Sequence, residues 1–212
     1  MTEAFEDQDE INRRANEKAA KRKQVRDRML ATKTQEKGLL MVHTGKGKGK
    51  STAAFGLALR ALGHKMPVGI VQFVKGSWES GERDALARFD DLVTIKAMGE
   101  GFTWETQDRA RDIQAAEAAW AEACAMIEAA RRDPAAYGLL VLDELNIVLR
   151  YDYLPVGDVV ETLMARPENL HIVVTGRNAP PELVEAADLV TEMMAVKHPF
   201  AAGIKAQRGI EF

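Results

Sequence analysis

Only one cysteine, Cys124, occurs in the 212 residues, so neither a disulfide framework nor a multi-cysteine zinc site can be assembled. Positive charge is not in excess either. Lys and Arg number 29 against 32 Asp and Glu, and a net charge of −3 argues against general affinity for nucleic acid. No run approaches the roughly 18 consecutive apolar residues of a membrane span. The N-terminus is too charged for a secretory signal, and a cytoplasmic location is the expectation. No Ser/His/Asp or Cys/His set for nucleophilic catalysis stands out. His43, His64, His171 and His198 are scattered and read as structural. Internal repeats and low-complexity linkers are missing too. What remains, 46% hydrophobic and 29% charged residues, describes a globular chain long enough to bury a real core.

Against these absences one segment stands out. Thr44-Gly45-Lys46-Gly47-Lys48-Gly49-Lys50-Ser51-Thr52 follows the apolar run at residues 39–43 and leads into a helical pattern at 52–62. Strand, glycine-rich turn and helix together make a phosphate-binding loop. Glycines let successive N–H groups converge on phosphate oxygens, and the helix N-terminus adds partial positive charge. Lys50 is placed to reach the phosphates and Ser51 to ligate Mg²⁺. The usual spacing wants a glycine where Thr44 stands. Gly45 comes one residue late, and the loop is shortened.

Residues 1–36 form a charged arm, acids first (Glu3, Glu6, Asp7, Asp9, Glu10) and bases after (Arg13, Arg14, Lys18, Lys21, Arg22, Lys23, Arg26, Arg28), an order that suits a helix dipole. Its apolar stripe of Ile11, Ala15, Val25 and Met29 is thin. Two readings stand, a solvated or frayed helix and a basic arm that closes over an anionic ligand. From residue 37 to 212 apolar runs at 39–43, 68–74, 92–96, 138–143, 171–175 and 189–193 alternate with helical patterns at 52–62, 82–88, 106–132, 156–165 and 181–187. Continuous apolar runs are strands buried on both faces, so the expected fold is α/β, a mostly parallel sheet covered by helices on both sides. Ligands of such sheets bind at the carboxyl ends of the strands. Thr44–Ser51, Gln72 to Gly76, Asp143 with Glu144, and Thr175 to Arg177 all fall there.

Leu139-Leu140-Val141-Leu142-Asp143-Glu144 has the form of a second nucleotide motif, with Asp143 as a Mg²⁺ ligand, direct or through water. Glu144 could polarise a water in a hydrolase, or contact metal or ribose. Cys124 and Trp120 lie in an alanine-rich helical run and read as packing residues. Gly99-Glu100-Gly101-Phe102-Thr103-Trp104 sets two large rings two residues apart in a glycine-flanked loop. They either tuck into the core or wall a large flat ligand.

Taken together, Thr44–Thr52, Gln72-Phe73-Val74-Lys75-Gly76, the Met98-to-Thr106 segment, residues 141–145, Tyr151-Asp152-Tyr153-Leu154-Pro155, Thr175-Gly176-Arg177 and the tail at 196–200 and 205–210 resemble the P-loop type of ATP:corrinoid adenosyltransferase of cobalamin biosynthesis. The similarity runs in order from Lys37 to Phe212. It implies a P-loop NTPase-like (RecA-like) fold, ATP and a corrinoid as substrates, Mg²⁺, and transfer of 5′-deoxyadenosyl to Co(I) with release of tripolyphosphate. Gly45, Lys46, Gly47, Lys48, Gly49, Lys50, Ser51, Thr52, Arg60 and Glu144 are implied to contact nucleotide, and Ser51 and Asp143 the metal. Lys50, Phe102 and Trp104 are implied to serve the reaction, the two rings by covering the lower corrin face. The resemblance further implies a homodimer and a reduced flavin or flavoprotein as electron donor. It leaves open whether cobyrinic acid a,c-diamide, cobinamide or cobalamin is preferred.

Three other readings compete on the residues alone: a nucleotide kinase, a P-loop ATPase with Glu144 activating water, and a corrinoid-delivery module that uses nucleotide for regulation. Thymidine kinases of this general fold usually carry a cysteine zinc site, which one cysteine cannot supply.

Overall fold

A computed structural model describes residues 8–74, 81–89, 91–98 and 108–210. The chain divides into two compact units, Met1–Glu36 and Lys37–Phe212.

Among the described residues of the first unit there is one helix, α1 (Gln8–Ala31), none of whose residues is buried. Asp9 and Glu10 occupy its first turn and Arg28 its last, each matched to the dipole. Glu10 pairs with Arg14 at 2.9 Å and Arg13 at 3.4 Å; exposed pairs of this kind contribute about 0.3–0.5 kcal/mol each. Ile11, Val25 and Met29 are all exposed, so the thin apolar stripe covers no core.

The second unit is built on β1 (Leu40–Thr44), β2 (Val68–Gln72), β3 (Val93–Ala97), β4 (Leu139–Asp143), β5 (His171–Thr175) and β6 (Leu189–Glu192). All observed pairings are parallel, in the order β3-β2-β4-β5-β1-β6. The alternation of side chains along each strand sorts the core into two layers. Leu40, Val42, Val71, Leu140, Leu142, Ile172 and Val174 face α4 (Arg109–Arg132), α5 (Leu145–Arg150), α6 (Val156–Met164) and α7 (Pro181–Ala186). Met41, Ile70, Val141 and Val173 face α2 (Lys50–Gly63), with Leu86 of α3 (Gly81–Leu86) on the same side. Each fully buried Leu or Ile contributes about 1.5–3 kcal/mol. This is the α/β sheet with helices on both faces expected from the apolar runs, and it is consistent with the P-loop NTPase-like fold that the resemblance implies.

Three local features depart from the sequence reading. The strand at 189–193 was expected to be buried on both faces, but β6 is exposed along its length because it lies at the sheet edge. The helical pattern at 82–88 resolves into α3 and a short 3₁₀ turn, Ala87–Phe89. Helix α5 was not anticipated. Glu144 adopts a left-handed conformation (φ 65°) directly after β4, so strand passes to helix without an intervening loop. Residues 106 and 107, expected to open the long alanine-rich helix, lie outside the described residues. Its first described turn is capped by Asp108, whose carboxylate accepts from the Arg111 N–H at 3.2 Å.

The entry to β1 is clasped by charge. Asp188 accepts from Lys37 Nζ, from the Leu40 N–H at 2.9 Å and from Arg166 Nη2 at 3.2 Å. Arg166 also donates to the Gly38 carbonyl at 2.8 Å. The bond from Lys37 and that from the Leu40 amide hold the Asp188 carboxyl below the usual carboxylate range. His171 accepts from the Leu39 N–H at 3.2 Å, and its pKa is lowered by burial and by Arg166, so it serves the framework.

Candidate functional site

Loop 45–49 leaves the carboxyl end of β1 with Gly45 and Gly49 at φ 95° and 105°, conformations that side chains disfavour. Crowding by main chain limits it further. A Cβ on Gly45 would fall 2.5 Å from the Met193 carbonyl oxygen, and one on Gly47 would fall 2.7 Å from those of Met193 and Met194. Gly47 donates its N–H to Met193 O at 2.6 Å, and Met193 returns an N–H to Thr44 O at 2.9 Å. The continuation of β6 is therefore a wall along the loop. Helix α2 then starts without a side-chain cap and with no acid in its first turn. Its opening N–H groups are left for an anion, the arrangement a phosphate needs.

Lys50, the first residue of α2, is buried, and its Nζ donates to the carbonyls of Gly45 at 2.9 Å and Gly47 at 2.5 Å. Burial lowers its pKa. The charge of Glu144 opposes that shift, and Arg177 adds to it. Lys46, Lys48 and Thr52 are exposed and Ser51 half-buried. His43 sets its Nδ1 3.3 Å from the Lys50 carbonyl, at the base of the loop.

A second set of polar groups crosses the ends of three adjacent strands. Asp143, at the end of β4, is fully enclosed. Its Oδ1 accepts from Thr175 Oγ1 of β5 at 2.7 Å, and its Oδ2 from Gln72 Nε2 of β2 at 3.2 Å. Thr175 Oγ1 in turn accepts the Glu144 N–H at 2.9 Å, which fixes the left-handed turn. Gly176 (φ 129°) passes so close that a Cβ there would lie 3.1 Å from Glu144 Oε2. Asn146 ties the strand ends together by donating to the carbonyls of Gly176 at 3.0 Å and His43 at 3.5 Å.

The fold thus brings Lys50 within electrostatic reach of Glu144 and Arg177. Of the two acids, Asp143 is the enclosed one and Glu144 the half-buried one. Arg60 is not brought to the loop within this unit. It is exposed in the last turn of α2, about 15 Å along the axis from Lys50 at 1.5 Å per residue. Phe102 and Trp104 lie outside the described residues, as does Lys75. Sequence reading did not anticipate the backbone wall at Met193, the contact of His43 with the loop, or the Asn146 tie.

The family profile described as ATP:corrinoid adenosyltransferase BtuR/CobO/CobP matches residues 36–212. The chain belongs to the ATP:corrinoid adenosyltransferase family. It is 53% identical over 203 residues to a corrinoid adenosyltransferase of Pseudomonas aeruginosa, covering 96% of this chain and 98% of that one. A corrinoid adenosyltransferase from Sinorhizobium is also 53% identical, over 197 residues, covering 92% and 90% of the two chains. The corrinoid adenosyltransferase CobA of Salmonella typhimurium is 44% identical over 195 residues, covering 91% and 96%.

Proposed function

We propose that the protein transfers the 5′-deoxyadenosyl group of ATP to the Co(I) of a corrinoid and releases tripolyphosphate. The observation that carries this reading is the loop 45–49 opening an acid-free, uncapped helix, in a chain of the ATP:corrinoid adenosyltransferase family. The electron pair of Co(I) forms the cobalt–carbon bond to C5′ while the bond from C5′ to the α-phosphate oxygen breaks. The pair from that bond leaves with the tripolyphosphate. No proton is removed, so no general base is required. The protein's task is alignment of C5′ and stabilisation of charge on the leaving chain. Converging N–H groups, the buried Lys50 and the exposed Lys46 and Lys48 suit a large polyanion.

Mg²⁺ fits the donors available. Ser51 offers a hydroxyl, and Asp143 and Glu144 offer carboxylates, all hard oxygen ligands. Among the described residues no cluster of three His, Cys, Asp or Glu side chains could cage a metal. An ion held by one or two protein oxygens, water and phosphate is the habit of Mg²⁺. Each oxygen of Asp143 accepts one hydrogen bond and keeps a lone pair, so the carboxylate could meet the ion directly or through water. Phe102 and Trp104 are proposed to cover the lower corrin face, where rings that cannot ligate cobalt ease its reduction. The unit at residues 37–212 is proposed to hold both substrates. The protein is proposed to act as a cytoplasmic homodimer that takes electrons from a reduced flavin or flavoprotein.

Anaerobic incubation with ATP, Mg²⁺ and a chemically reduced corrinoid tests the reading. The visible spectrum should change to that of an alkylated corrinoid as tripolyphosphate accumulates in equal amount. Formation of ADP in place of tripolyphosphate would overturn it in favour of a kinase or ATPase.

A further inference from the structure

The two ends of the Gln72 side chain have different fates. Its Nε2 donates to Asp143 Oδ2 at 3.2 Å, whereas Oε1 is buried and finds no hydrogen-bond partner among the described residues. Turning the amide over would set its carbonyl against a carboxylate oxygen, acceptor to acceptor, so the orientation is dictated by Asp143. Among the described residues, three donors of these strand ends are already committed. Thr175 Oγ1 gives its hydrogen to Asp143 Oδ1, the Phe73 N–H goes to Asp143 O at 3.0 Å, and the Met98 N–H goes to Gln72 O at 3.1 Å. An enclosed acceptor left unpaired is costly and rare in native interiors. Asn146 Oδ1 is in the same state, but its amino group bridges two backbone carbonyls, which gives that residue a framework task. The Gln72 amino group has one partner among the described residues, the Asp143 carboxylate itself. Gln72 ends a strand of Val, Gly and Ile and stands beside the acid proposed to face the metal.

We propose that Gln72 is a ligand-contacting residue whose side-chain carbonyl accepts a hydrogen bond from an O–H group of the bound metal–nucleotide while its amide nitrogen holds Asp143. The proposal rests on the reading of the carboxyl ends of β2, β4 and β5 as the nucleotide site. Two sources carry the required O–H, a water held by the divalent ion and a ribose hydroxyl of ATP. In both cases one side chain links the placement of Asp143 to recognition of the ligand.

The test measures nucleotide affinity by calorimetry without corrinoid, for the unaltered protein, Gln72→Met and Gln72→Glu, with melting temperatures as controls. Methionine matches the length of glutamine and neither donates nor accepts as an amide does. Glutamate keeps the acceptor and, once protonated beside Asp143, regains a donor. Gln72→Met should weaken MgATP about tenfold or more, since it removes both the contact to the ligand and the bond that holds Asp143. Gln72→Glu should recover affinity as pH is lowered. If the partner is a ribose hydroxyl, 2′-deoxyATP or 3′-deoxyATP should bind the Met variant and the unaltered protein alike. If it is metal-held water, the loss should be equal for all three nucleotides and vanish when Mg²⁺ is omitted. Unchanged affinity in Gln72→Met overturns the proposal. So does a loss that persists equally without Mg²⁺ and with both deoxynucleotides. Should the Met variant fail to fold, a Glu variant without pH-dependent recovery overturns it as well. Formation of ADP would sink the transfer reaction and leave these binding outcomes standing on their own.

Discussion

Gly47 donates its backbone N–H to the carbonyl oxygen of Met193 at 2.6 Å, joining the middle of the phosphate loop to the chain that leaves β6. The loop is held from outside by main chain, and side chains cannot yield to relieve crowding there.

Gly47→Ala should therefore act on the site. Its Cβ would meet two backbone carbonyl oxygens at 2.7 Å, so the loop must move off its wall. ATP affinity should fall at least about tenfold, as the loss of more than one loop hydrogen bond would cause. Gly56→Ala on the exposed face of α2, where nothing lies within 4 Å, should bind ATP normally. It should gain about 0.5–1 kcal/mol of stability. Calorimetric titration and thermal melts of the two variants check both statements.

Lys50 gives a pH signature of opposite sign in binding and in folding. Burial lowers its pKa from 10.5, so the free protein loses this charge at a lower pH than an ordinary lysine. Affinity for ATP should decline as pH rises through that lowered value, and Lys50→Arg should flatten the decline. In the same window the unfolded chain binds more protons than the folded one, so the Lys50 contribution to folding stability rises with pH. Titrations and denaturant melts across the alkaline range check the two slopes.

The Asp188 clasp predicts the reverse dependence at acid pH. Its carboxyl is held below its ordinary value, so its stabilisation is present above the unfolded pKa and is lost as pH falls through the folded one. Asp188→Asn should cost about 1 kcal/mol at neutral pH, because solvent screens a carboxylate and lysine this close to the surface. The gap from the unaltered protein should close in acid. Urea melts at neutral and acid pH decide it.

Phe102→Ala and Trp104→Ala should slow activation of the corrinoid while leaving ATP affinity within about twofold, since both rings are assigned to the corrin face. Stopped-flow spectra of cobalt reduction beside nucleotide titrations test this division. Equal losses in both measurements would refute it.

Much of this was legible because apolar runs and sheet strands coincide. The observed β1, β4 and β5 begin and end within one residue of their runs, while the run at 68–74 outlasts β2 by two. Asp143 and Thr175 each end such a run with a polar side chain, which is a readable signal, whereas Gln72 ends β2 inside its run. Their contact was not readable, because it depends on β4 lying between β2 and β5, and that order is set by packing of the whole sheet. Helix α5 escaped for a local reason. Leu145-Asn146-Ile147-Val148-Leu149 follows Asp143-Glu144 without glycine or proline, and only the left-handed turn at Glu144 separates strand from helix. The exposure of β6 escaped too, since its Leu189 and Val190 resemble the residues of a central strand.

The wall beside the phosphate loop consists of residues 193 and 194, and the chain runs on from them to Phe212. This gives the carboxyl-terminal stretch mechanical leverage over the nucleotide. A cut after Glu192 would remove the carbonyl that Gly47 holds. A bulky fusion close behind Met194 would pull on the same bond.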